Sequence, residues 1–172
     1  MNRPQPSEYA PFYKTYIDTV SDQVIAELEH QANSFPSFLK GFTADKASFA
    51  YAEGKWTIKE LVGHVIDTER IMTYRLLRIA RADQTPLPGF EENDYVANAH
   101  FADRTIESLA EEFAVVRKAN MYLVRSFTED EISRLGTSNG KAVSARALIY
   151  ILAGHVNHHR MIIEDRYLRS GS

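Results

Sequence analysis

His155 and His159 lie four residues apart in Gly154-His155-Val156-Asn157-His158-His159. On a helix that spacing stacks two imidazoles one turn apart on a single face. Neutral imidazoles are good ligands for divalent transition metals, so the pair can chelate one ion. The zinc-protease pattern is excluded, because it needs a glutamate after the first histidine and Val156 stands there. A third ligand must come from another segment, and His64 in Leu61-Val62-Gly63-His64-Val65-Ile66 is the best candidate. Three neutral imidazoles leave the double charge of the cation intact and one or more coordination positions open. Zinc and nickel suit this donor set best, ahead of iron and manganese. A water bound there is acidified toward neutrality and becomes a nucleophile. A bound thiol is deprotonated by the same field. The chain has no cysteine, so any thiol must be external.

The neighbouring residues suggest weaker roles. Asp67 and Glu69 fall within about one turn of His64 and are the candidates for a catalytic base or an imidazole partner. The commoner fate of such helix charges is an ion pair, here with Arg70, Arg75 or Arg78. Arg75 lies about 20° from His64 on a helical wheel, nearly three turns on, and suits an anionic ligand group or a glutamate. Trp56, just before the helix, suits a wall or lid. His30 and His100 have no such context and read as surface residues.

These side chains need long helices to position them. Four segments carry helical periodicity, over roughly residues 16–33, 57–81, 105–126 and 144–168. Thr57 and Glu60 form a capping-box signature at the second, and Ser144 is a plausible N-cap for the fourth. Long connections separate them. Residues 34–56 hold Pro36, Gly41 and Gly54, with room for a short helix at 37–42. Residues 82–104 hold Pro86, Pro88 and Gly89, and 127–143 hold Gly136, Asn139 and Gly140. No stretch alternates well enough to predict a sheet. The expected architecture is all-α, one four-helix-bundle domain over residues 1–172, with connections long enough to cross the bundle. On the wheel of the fourth helix His155 and His159 each fall within about 20° of the apolar direction, and His158 about 80° away on the flank. His64 falls toward one edge of its apolar arc, about 85° from the mean. A lone histidine on an apolar face is usually a hydrogen-bonded core residue. Two on adjacent turns are harder to bury without a metal, since each ring has a donor and an acceptor to satisfy.

The composition is that of an ordinary globular protein, 44% hydrophobic and 25% charged. A net charge of -3 gives no bulk reason to expect nucleic acid or an anionic membrane as partner. No apolar run reaches the ~20 residues of a membrane span, and the N-terminus does not read as a signal peptide. The expectation is a cytoplasmic protein acting on a small molecule, with a symmetric homodimer as the common oligomer for such bundles.

Three stretches carry a family resemblance. They are Tyr51-Ala52-Glu53-Gly54-Lys55-Trp56-Thr57-Ile58-Lys59-Glu60-Leu61-Val62-Gly63-His64, its continuation Val65-Ile66-Asp67-Thr68-Glu69-Arg70-Ile71 with Arg75 and Ala80-Arg81-Ala82-Asp83, and the Gly154–His159 motif. In these the chain resembles the DinB/YfiT-like superfamily of metal-dependent enzymes over nearly its whole length. The resemblance implies a four-helix bundle whose metal ligands are His64, His155 and His159. It also implies either a thiol-dependent S-transferase or isomerase using a low-molecular-weight thiol, or a hydrolase. The alternative is a non-catalytic metal-binding or stress-response bundle, because a fold name does not choose a reaction.

Overall fold

A computed structural model describes residues 1–169. Its elements in order are α1 (Lys14–Ile17), α2 (Val24–Leu39), α3 (Ala44–Ala47), α4 (Ile58–Ala80), α5 (Glu92–Asn98), α6 (Ile106–Ser126), α7 (Glu129–Ser133), β1 (Leu135–Ser138), β2 (Lys141–Ser144) and α8 (Ala145–Ile162). A π-helical stretch, Ile163–Leu168, continues α8. The last three residues of the expected 1–172 domain lie outside the described residues.

The long helices start where their caps predict. The Glu60 amide donates to Thr57 Oγ1 at 3.2 Å and the Thr57 amide to the Glu60 carboxylate at 2.7 Å, closing the box at the head of α4. Ser144 Oγ accepts from the Ala147 amide at 2.9 Å and caps α8.

The expected first helix differs most. It is split, because α1 stops at Ile17 and α2 begins only at Val24. Between them the Thr19 hydroxyl turns back to the Tyr16 carbonyl and the Ser21 amide donates to Glu27, so local side-chain bonds replace helical ones. At its other end α2 runs through Pro36, which punctuation alone places in a connection. A proline inside a helix costs about 3 kcal/mol. Phe35 and Leu39 are fully buried beside it, and burying each such side chain contributes about 1.5–3 kcal/mol, which offsets that cost.

The expectation of no sheet is also corrected. β1 and β2 pair antiparallel from Leu135↔Ser144 to Ser138↔Lys141. Asn139 and Gly140 turn between them at φ 50 and 69. An Asn-Gly pair at positive φ is the preferred two-residue hairpin turn, but strands of four residues are too short for alternation to show.

α2 packs on α6 and α8, and α4 packs on α6 and α8. Helices consecutive among the long four, α2 with α4 and α6 with α8, therefore stand across the diagonals. The connections after α2 and after α6 cross the bundle, and the hairpin belongs to the second crossing. Two apolar clusters form the core. One gathers Val24, Leu28, Leu76, Ile79 and Leu148, and the other Phe35, Leu61, Val65, Phe113 and Tyr167.

Between them sits a buried polar layer. Arg117 of α6 donates to both Glu69 oxygens of α4, at 2.7 and 2.8 Å. It also donates to Gln31 Oε1 of α2 at 2.7 Å and to the Leu152 carbonyl of α8 at 3.2 Å. One side-chain network thus joins all four long helices.

Candidate metal centre

α4 and α8 pack face to face and carry the three histidines on the surfaces they share. His155 Nε2 lies 3.1 Å from His64 Nε2 and 3.0 Å from His159 Nε2. All three rings are buried, at 7%, 5% and 7% exposure for His64, His155 and His159. Gly154 makes the approach of α1 possible. A Cβ there would stand 2.2 Å from the Tyr16 carbonyl oxygen, well inside contact distance. Tyr16 is thereby held with its ring 5.5 Å from that of His155 and 5.0 Å from that of His158. On the other side Trp56 lies 5.0 Å from the His64 ring, and its carbonyl accepts from the Tyr167 hydroxyl.

Three converging Nε2 atoms are awkward as a purely hydrogen-bonded cluster. Each neutral ring nitrogen has either one proton or one lone pair in its plane. His155 Nε2 therefore makes at most one well-formed hydrogen bond with its two neighbours. Two nitrogens on a tetrahedral zinc stand about 3.3 Å apart, given Zn–N bonds of about 2.0–2.1 Å. The observed separations are close to that, and the three residues form a group able to hold a metal ion.

The electrostatics favour neutral rings. Burial pulls the His64 pKa down to about 4, with nearby His158 adding to the effect. Burial also pushes His155 and His159 well below the usual histidine range, assisted for both by neighbouring imidazoles. Neutral imidazole is the ligating form.

All three histidines line a cleft of about 400 Å³. Its walls come from segments with no recognisable motif: Phe12, Tyr13 and Tyr16 before α2, Phe90 and Glu92 in the connection after α4, and Asn139 of the hairpin turn. From α4 come Thr68, Met72 and Arg75. His158, which the wheel placed on the flank, also lines this cleft. It is half-buried, and burial lowers its pKa. A smaller cleft of about 230 Å³ reaches His159 from the far side of Trp56.

Asp67 and Glu69 are not among the lining residues. Asp67 is half-buried 3.8 Å from Arg70, and burial raises its pKa. Glu69 is committed to Arg117 and accepts a further bond from Asn120 at 2.9 Å. Asp67 thus sits beside Arg70, one of the expected partners, whereas Glu69 pairs across the bundle with Arg117, which the sequence did not single out.

A family model for the DinB superfamily matches residues 27–163. The chain belongs to the DinB superfamily. This DinB-superfamily chain is 23% identical over 138 residues to a proposed metal-dependent hydrolase of Oceanobacillus iheyensis, covering 78% of each protein. Among solved structures its fold is similar to YfiT from Bacillus subtilis, described as a probable metal-dependent hydrolase with an unusual four-helix bundle topology. That match has a TM-score of 0.71 at 18% identity and covers 98% of this chain and 93% of the other. A mycothiol-dependent maleylpyruvate isomerase matches with a TM-score of 0.67 at 16% identity, over 91% of this chain and 69% of that one.

Proposed function

We propose that this DinB-superfamily protein is a metal-dependent enzyme of the hydrolase or thiol-transfer type, with His64, His155 and His159 as ligands to zinc or nickel. The observation that carries the reading is the convergence of three buried Nε2 atoms in the wall of an open cleft. When bound, such a metal supplies Lewis acidity and a lowered pKa to a coordinated water or thiol. The residues around it do the rest. Tyr16 and Trp56 wall the site and restrict water. His158 stands beside the ligand cluster, its ring 5.1 Å from that of His159, and is placed to accept or return a proton. Thr68, one turn from His64, also lines the cleft, and its buried hydroxyl has no hydrogen-bond partner among the described residues.

A closed structural site would not need a cleft of this size, which favours catalysis over the non-catalytic bundle. The proposed relatives' names support the chemistry, one as a metal-dependent hydrolase and one as a mycothiol-dependent isomerase. No helix among the described residues is long and apolar enough to cross a membrane. We place the protein in the cytoplasm, where a chain without cysteine is at no disadvantage. Elemental analysis of untagged protein tests the centre. About one divalent metal per chain is expected, with loss in His64→Ala and His155→Ala. Equal metal content in wild type and both variants would sink the proposal.

A further inference from the structure

His64, Thr68, Met72 and Arg75 follow one another along α4 at steps of four, four and three residues, and all four line the main cleft. They form a stripe that leads away from the histidine cluster. Arg75 ends it. Eleven residues separate its Cα from that of His64 by about 16 Å along the helix axis. Both side chains lean toward the N-terminus, so the guanidinium stays on the order of 10–15 Å from the His64 ring along the stripe.

Arg75 is only 4% exposed, yet its contacts among the described residues are all neutral. It donates to the Pro88 carbonyl at 2.7 Å, meets Met72 Sδ at 3.5 Å, and lies 5.7 Å from the Phe90 ring centre. The contrast within the same bundle is Arg117, equally buried and gripped by both oxygens of Glu69. A buried guanidinium is ordinarily paired with an anion, because an uncompensated charge is expensive to desolvate. Glu92 is the acidic residue of the cleft lining, but it is exposed and forms no ion pair with Arg75. Between the two ends Thr68 lines the cleft, its hydroxyl buried and without a partner among the described residues. With a metal on the histidines the cleft has an electrophilic end and, at the other, a cation without an anionic partner among the described residues.

We propose that Arg75 binds a carboxylate of the substrate, and that the substrate is an elongated monoanion whose reactive end meets the three histidines while its carboxylate end meets Arg75. The bidentate fork of arginine fits a planar carboxylate. Tyr13 and Phe90 flank that end, and Met72 and Ile151 give the middle of the molecule an apolar floor. This rests on the metal-centre reading for one end of the substrate only.

The test uses mercaptoalkanoates, from mercaptopropionate to mercaptooctanoate, each beside the mercaptoalkanol of equal length. Binding to the nickel- or zinc-loaded full-length protein is measured by calorimetry, for wild type, Arg75→Gln and Arg75→Lys. In the wild type the longer acids bind about tenfold or more tightly than their alcohols, the gain expected for a charge-assisted hydrogen bond. The shortest acid shows no preference, since it cannot span the stripe. Arg75→Gln abolishes the preference, and Arg75→Lys keeps part of it. Equal affinity of acids and alcohols at every length overturns the proposal, and so does a preference that survives Arg75→Gln. Alcohols that bind without any acid preference leave the metal reading standing. If neither class binds and no metal is retained, both fall. The acid–alcohol comparison in wild type stands even where a variant at this buried position folds poorly.

Discussion

His158 lies against the three-histidine cluster without joining it, and in the proposed mechanism this separates proton transfer from metal binding. Replacing it by glutamine is expected to leave metal content unchanged and to lower kcat by about a hundredfold or more, the usual contribution of a positioned acid or base. Elemental analysis beside steady-state kinetics checks both halves, and metal loss in His158→Gln would move the residue into the ligand set. His155 and His159 were legible as a converging pair from their spacing and apolar context, and His64 as their neighbour from the family resemblance. His158 was not, because a wheel angle says only that a side chain leaves the core, not that another segment has built a cleft there. Glu69 shows a similar limit. Sequence places a carboxylate near His64 along the chain, while the partner that claims Glu69 comes from α6, forty-eight residues on.

At the scale of elements, the helices are tied through buried polar groups as well as apolar packing. Glu69→Ala leaves the fully buried Arg117 without its counter-charge. A loss of about 3–5 kcal/mol is expected in urea unfolding. Replacing Glu69 and Arg117 together by methionine and leucine should recover much of that loss, because the cost lies in the stranded charge. A second prediction concerns the contact of α1 with α8. Gly154→Ala puts a methyl group where the Tyr16 carbonyl oxygen stands, 2.2 Å from the new Cβ. α1 must then move away from His155. We expect a lowered Tm and weaker metal binding together, and an unchanged metal affinity would show that α1 does not help to set the site.

Over the whole molecule, burial of the imidazoles makes stability depend on pH. His64 titrates at about 4 in the folded chain against 6.5 for the unperturbed group, so the unfolded chain takes up protons first as pH falls. For the metal-free protein the contribution is fully present above pH 6.5 and is lost as pH falls toward 4. A shift of that size amounts to about 3 kcal/mol from His64 alone. His155 and His159 shift in the same direction and add to it. Urea titrations from pH 8 to pH 4 should show this slope, and a flat profile would mean the rings are not neutral in the fold. Added zinc or nickel should raise Tm in the wild type at pH 7 and not in His155→Ala, because a ligand that binds only the folded state stabilises it by mass action.

Local chemistry determined much of this from sequence alone. The caps at Thr57 and Ser144, the periodicity of the long helices and the i,i+4 histidine pair all act within one or two helical turns, so a single segment contains their cause. Only the tertiary structure decided which helices are neighbours, that Arg117 takes Glu69, that α2 continues through Pro36, and that Arg75 is buried without an anion among the described residues. Each of these is settled by a partner remote in sequence. Burial and charge pairing are properties of the assembled bundle, and no window on the chain records them.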